Sequence, residues 1–137
     1  STGYPPPFDR DVAGRFYRRV GQAAGLSDIG VSHVVMEPGA ASSQRHWHEG
    51  IDELVVMLEG EAVLIEDGGE TILRAGDCAV FPKDVANSHH LVNRSGGKCV
   101  FLAIDGRHGE GNCHYPDVDL EWDNAGGRYT RKDGTPY

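Results

Sequence analysis

The chain has few cysteines, few basic residues and no long apolar run, and each shortage removes a class of function. Three cysteines among 137 residues, Cys78, Cys99 and Cys113, are too few and too odd in number for a disulfide framework. Such usage fits a reducing compartment, so a cytoplasmic location is expected. Lysine and arginine total 13 against 21 aspartates and glutamates, a formal net charge of -8. An acidic chain of this kind is poorly suited to a phosphate backbone or an anionic bilayer, and neither nucleic acid nor membrane is expected as a partner. No stretch approaches the roughly twenty consecutive apolar residues that a spanning helix needs. The opening STGYPPPFDR carries neither the basic nor the apolar region of a secretory signal. Asn93-Arg94-Ser95 therefore reads as a coincidental match to a glycosylation acceptor. Neither a second domain nor a usable internal repeat is visible, and residues 1–137 read as a single domain.

What is present is a succession of short apolar segments punctuated by glycine and proline, which is an all-β pattern. Strands are predicted over Gly30–Met36, Ser43–His48, Glu53–Glu59, Ala62–Glu66, Glu70–Leu73, Ala79–Phe81, His89–Asn93 and Val100–Ile104. Turn residues separate them, and Asp67-Gly68-Gly69 is the clearest hairpin loop. Strands at this spacing form a sandwich or a barrel, whose interior can hold a small ligand. Phe16–Ala24 is the one candidate helix. The barrel core is expected over about 28–105, with an N-terminal arm over 1–27 and a C-terminal arm over 106–137. Tyr4-Pro5-Pro6-Pro7-Phe8 favours extended geometry in the first arm.

The chemistry concentrates at His46-Trp47-His48. On a strand side chains alternate faces, so the two imidazoles share one side and Trp47 takes the other. Glu53 opens the next apolar strand on the face of Val55 and Met57. A carboxylate facing an apolar interior is costly unless a cation or hydrogen bonds compensate it, and a metal held by neighbouring histidines would do so. A pair of exposed histidines beside solvated turn acids would account for the same letters, so the run by itself leaves both readings open.

From Gly39 to Asn93 the sequence resembles the cupin superfamily, whose two motifs occur in order. His46, His48, Glu53 and Gly60 follow the first motif, except that six residues lie between Gly39 and His46 where the usual form has five. Gly76, Pro82, His89 and Asn93 follow the second, with Asp84 in place of its glycine and a gap to the histidine two residues longer. The strings SSQRHWH, LEGE, LRAGD, HHLVNRS and HYPDVDL are similar to those of small bacterial single-domain cupins. The resemblance implies a double-stranded β-helix, the jelly-roll barrel, and a metal held by His46, His48, Glu53 and a fourth ligand. His89 fits that place by its interval to Asn93, while the adjacent His90 stays as an alternative. It implies one divalent transition ion per chain, zinc or iron first, with manganese, nickel and copper also compatible with such ligands. The function implied is a metal-dependent enzyme acting on a small polar or acidic molecule by isomerase, decarboxylase, lyase or dioxygenase chemistry; the alternative is a non-catalytic binding or sensor cupin. No helix-turn-helix segment accompanies the barrel to favour a regulator.

Gln44, His33, Met57 and Asn93 are further candidates for the substrate pocket. Gln44 shares parity with His46, and His33 stands on the preceding strand. Met36 and Met57 also suit irregular gaps in a core. Cys113-His114 places a thiol beside an imidazole, a pair that adjacency alone does not make functional. Small cupins commonly pair, which implies a homodimer, and a segment such as Val12–Val20 could add to a neighbour's sheet.

Overall fold

Alternating apolar residues along β-branched segments dictate strands with one buried face, and the computed structural model, which describes residues 3–137, is built almost wholly from them. A 3-10 turn at Phe8–Val12 leads to β1 (Arg15–Arg18), a short helix α1 (Val20–Ala23) and β2 (Ile29–Met36). There follow β3 (Trp47–His48), β4 (Glu53–Glu59), β5 (Glu61–Glu66), β6 (Gly69–Arg74), β7 (Cys78–Phe81), β8 (His90–Val92) and β9 (Cys99–Gly106). The chain closes with β10 (Cys113–Tyr115), β11 (Leu120–Asp123) and β12 (Arg128–Thr130).

One face of the jelly roll is an antiparallel sheet in the order β1-β2-β9-β4-β7. The other is made of β6-β5-β8 and β12-β11-β10-β3. Residues 41–48 join these two smaller sheets, because Ala41 bridges Val92, His46 bridges His89 and Trp47 pairs with His114. Met36, Val55, Met57, Leu64, Leu73, Phe81, Leu91 and Phe101 fill the space between the layers. A second cluster of Cys113, Tyr115 and Leu120, packed by Tyr4, Phe8 and Trp122, ties the N-terminal segment to the C-terminal strands. The C-terminal arm is thus itself stranded and extends the wall next to His48.

Two segments differ from expectation. Phe16–Ala24 is not a helix: Arg15–Arg18 pairs with His33–Met36, and only Val20–Ala23 coils. Ladder hydrogen bonds to an edge that was open outweigh the weak helical tendency of a segment bounded by glycine. Ser43–His48 is regular only at Trp47–His48, since Ser43, Gln44 and Arg45 bend to meet His46, Asp11 and Asp117 through their side chains. Gly60, at the tight connection from β4 to β5, has φ +71°, and a Cβ there would stand 2.5 Å from the Lys98 carbonyl oxygen. Only glycine accepts both conditions.

Candidate metal centre

Glu53 begins β4 with its side chain on the buried face, and three histidines from the opposite wall close on its carboxylate. His48 Nε2 lies 3.1 Å and His46 Nε2 3.7 Å from Oε2, and His89 Nε2 lies 2.7 Å from Oε1. Alternation along residues 46–48 puts both imidazoles on this side, while the His46–His89 bridge brings in the third. One donor atom from each of His46, Glu53 and His89 falls within 4.8 Å of the others. The same holds for His46, His48 and Cys113.

The imidazoles are oriented from behind. His46 Nδ1 is 2.8 Å from the Gln44 carbonyl, and His89 Nδ1 is 2.9 Å from the Asn87 carbonyl. An Nδ1–H donated to a carbonyl fixes the tautomer and leaves Nε2 as the atom offered to a metal. The His89 ring also stacks on Phe81 at 3.5 Å between centroids, and only 3% of the residue is exposed. Burial opposes the Glu53 carboxylate, but hydrogen bonds from His46, His48 and His89 outweigh it and hold the group well below the usual carboxylate range. For His46 burial again opposes charge, and the hydrogen bond to Glu53 prevails and raises its pKa. A largely buried carboxylate among three imidazoles, two of them fixed from behind, suits a divalent ion with nitrogen and oxygen preference, so His46, His48, Glu53 and His89 could hold one.

His90 takes the other direction: its Nδ1 lies 2.8 Å from the Ser43 carbonyl, and burial lowers its pKa. The structure therefore brings His89, rather than His90, to Glu53.

The centre forms part of the wall of a cavity of about 360 Å³, a size suited to a small organic molecule. Val55, Phe101 and Ala103 give it apolar surface, and Ser32, Ser43 and Asp105 give it polar atoms. None of the four further pocket candidates lines this cavity. His33 faces the opposite side of β2 because Ser32 and Val34 take the inward positions. Gln44 turns outward, its Nε2 donating to Asp11 Oδ2 at 2.5 Å. Met57 shares the parity of Glu53 but lies two residues deeper than Val55, in the core with 1% exposure. Asn93, wholly buried, donates from Nδ2 to the Met36 and Gly97 carbonyls and so ties a turn.

Several lining residues escaped the reading of the sequence. Asp105 stands opposite both Glu53 and Gly30 in register, at a point where the apolar pattern of the strand has already ended. Burial raises its carboxyl pKa, and nearby Arg107 opposes the shift. Arg15, Arg19 and Arg107 line the cavity from segments expected to be arm, where period two gave no guide. Cys113 pairs with His48 across β10 and β3, which is why its thiol reaches the histidines while His114 stacks on Trp47 instead. Burial pushes the Cys113 thiol up to about 12, which favours its protonated form.

Comparison with known proteins agrees with this architecture. A sugar phosphate isomerase of the cupin superfamily from Silicibacter pomeroyi is 42% identical, with a TM-score of 0.90 over 98% of this chain and 87% of that one. A structure from Acidithiobacillus ferrooxidans, provisionally named a sugar phosphate isomerase, is 27% identical with a TM-score of 0.77 over 85% of this chain and 74% of the other. A polyketide cyclase from Streptomyces resistomycificus, 16% identical with a TM-score of 0.66 over 77% and 73% of the two chains, shares the fold alone. No curated protein matches the chain. The cupin domain family matches residues 32–105, from the inner sheet strand β2 through both histidine motifs to Asp105, and the chain belongs to the cupin family.

Proposed function

We propose that this cupin is a metal-dependent enzyme that isomerises a small phosphorylated sugar. The observation that carries the proposal is the convergence of His46, His48 and His89 on Glu53, with His46, Glu53 and His89 in the wall of a substrate-sized cavity. The 42% identity to a protein named for sugar phosphate isomerisation supports the substrate class. A divalent ion in this ligand set, zinc or iron in our assignment, would supply Lewis-acid polarisation of a carbonyl or hydroxyl oxygen. The remaining work falls to the chain. Ser32 and Ser43 orient sugar hydroxyls, and Val55, Phe101 and Ala103 exclude water. Asp105 takes a proton from the hydroxyl-bearing carbon beside the carbonyl and returns it to the former carbonyl carbon, while the hydroxyl proton passes to the former carbonyl oxygen, so that the shift balances without an outside oxidant.

Metal analysis and turnover on a panel of aldose and ketose phosphates test the reading together. Wild type should carry about one divalent ion per chain, and His48→Ala should lose both ion and turnover. Asp105→Asn should keep the ion while turnover falls by a factor of about 10² to 10⁴, the usual scale for a lost general base. Full metal occupancy in a His46→Ala, His48→Ala double variant would overturn the centre. The same proposal places the protein in a reducing cytoplasm, in keeping with its free Cys78, Cys99 and Cys113, and as a homodimer. No helix is long and apolar enough to cross a membrane among the described residues.

A further inference from the structure

We infer that Arg15, Arg19 and Arg107 form an anion-binding rim on the cavity and take the phosphate monoester of the substrate, while its sugar end reaches down to Glu53 and the histidines. The inference rests on the reading of this cavity as the substrate site, and it assigns the residues that select a phosphorylated substrate over a free sugar.

All three arginines belong to the lining of the cavity that holds Glu53 and His89. Arg15 and Arg19 flank one aromatic ring, their Cζ atoms 5.0 and 5.5 Å from the centre of Tyr17. Arg107 reaches in from the end of β9: its Nε lies 3.1 Å from the place a Cβ on Gly30 would occupy. The absence of a side chain at Gly30 is thus what admits Arg107 and Asp105 to the rim. Depth separates the two ends, since His46 and His89 are buried whereas Arg19 and Arg107 are exposed. In register Glu53, Asp105 and Gly30 stand abreast on β4, β9 and β2. That row covers two strand spacings, about 10 Å, enough for a short carbon chain between a metal-facing end and a rim.

The charge pattern points the same way. Three arginines line one cavity of a chain whose net charge is -8, a local concentration of positive charge that a dianion would complement. Guanidinium forks match phosphate oxygens in pairs, and three forks suit a tetrahedral dianion better than a single planar carboxylate. Arg18, on the same strand, points to the other face and does not line the cavity.

Titration of the isolated protein with inorganic phosphate, followed by calorimetry, tests the rim without any need for turnover. Wild type should bind; Arg19→Ala and Arg107→Ala should each weaken binding by roughly tenfold, the scale of one hydrogen bond to a charged group. The double variant should bind no phosphate measurably, Arg18→Ala should match wild type, and metal content should be unchanged throughout. Wild type that binds no phosphate, a double variant that binds as tightly as wild type, or equal loss in Arg18→Ala would each overturn the rim. Arginine-dependent phosphate binding without turnover of any sugar phosphate would support the rim and overturn the isomerase reading. Turnover of sugar phosphates by the double variant at unchanged KM would overturn the rim and leave the isomerase reading standing.

Discussion

At the scale of single residues, Glu53 and Gly30 make opposite kinds of demand. Glu53 is a largely enclosed charge whose hydrogen bonds from three histidines favour its ionised form. Glu53→Gln preserves shape and removes the charge, so the three imidazoles lose the partner that offsets a bound cation. Metal affinity should fall by at least the 10- to 100-fold typical of losing a ligand-orienting partner, read by competition with a chromophoric chelator. Gly30 demands only empty space. A Cβ there would lie 2.0 Å from Asp105 Oδ1, a clash with a movable side-chain end rather than with backbone. Gly30→Ala should therefore leave the thermal midpoint within a few degrees of wild type while displacing Asp105 and Arg107, so that turnover falls and metal content does not. The difference between these two residues also explains what could be read in advance. His46, His48 and Glu53 are legible because strand alternation and a fixed interval place them together in sequence. Asp105 and Gly30 meet only through β2–β9 pairing across a separation of most of the domain, and no local pattern encodes that.

At the scale of elements, β4, β5, β7 and β9 arise close to where apolar alternation puts them, because each has one face sealed in the core. The pattern fails where side-chain contacts replace the ladder. Arg45 is the example: its guanidinium pairs with Asp117 at 2.8 Å and also with Asp67, so it fastens the C-terminal strands and the β5–β6 hairpin to residues 43–46. The hydrogen bond from Arg45, with burial opposing, lowers the Asp117 pKa. A carboxyl with a lowered folded-state pKa contributes stability above its unfolded value, about 3.9, and loses that contribution as pH falls through the folded value. Acidification below about pH 4 should therefore weaken attachment of the C-terminal strands in wild type, and the slope should be shallower in Asp117→Asn. Asp117 is about half exposed, so the effect should not exceed about 1 kcal/mol in urea melts and should shrink with added salt. β10 to β12 escaped the sequence reading because they are short and their core is aromatic rather than aliphatic, drawn partly from Tyr4 and Phe8 at the far end of the chain.

At the scale of the whole molecule, the outer face of the five-stranded sheet bears on the proposed homodimer. Its inner face is covered by the barrel core, but Ile29, Leu54, Val80 and Ile104 line an open groove on the other side, and Val80 is 67% exposed. Phe16, on β1 of the same sheet, is 61% exposed. An exposed apolar strip of this kind is a poor match for water, and a second copy offers the same strip, with Asp52 among the residues beside it. β1 pairs with β2 in its own chain and ends the sheet, so strand addition through Val12–Val20 would use its outer edge, while the apolar groove offers face-to-face packing. Light scattering at micromolar concentration should give twice the chain mass. Val80→Lys, at a position too exposed to destabilise the fold by more than about 0.5 kcal/mol, should shift that mass toward the monomer. A monomeric wild type would remove the dimer and leave the proposed metal centre standing, since its four candidate ligands and the cavity lining are drawn from one chain.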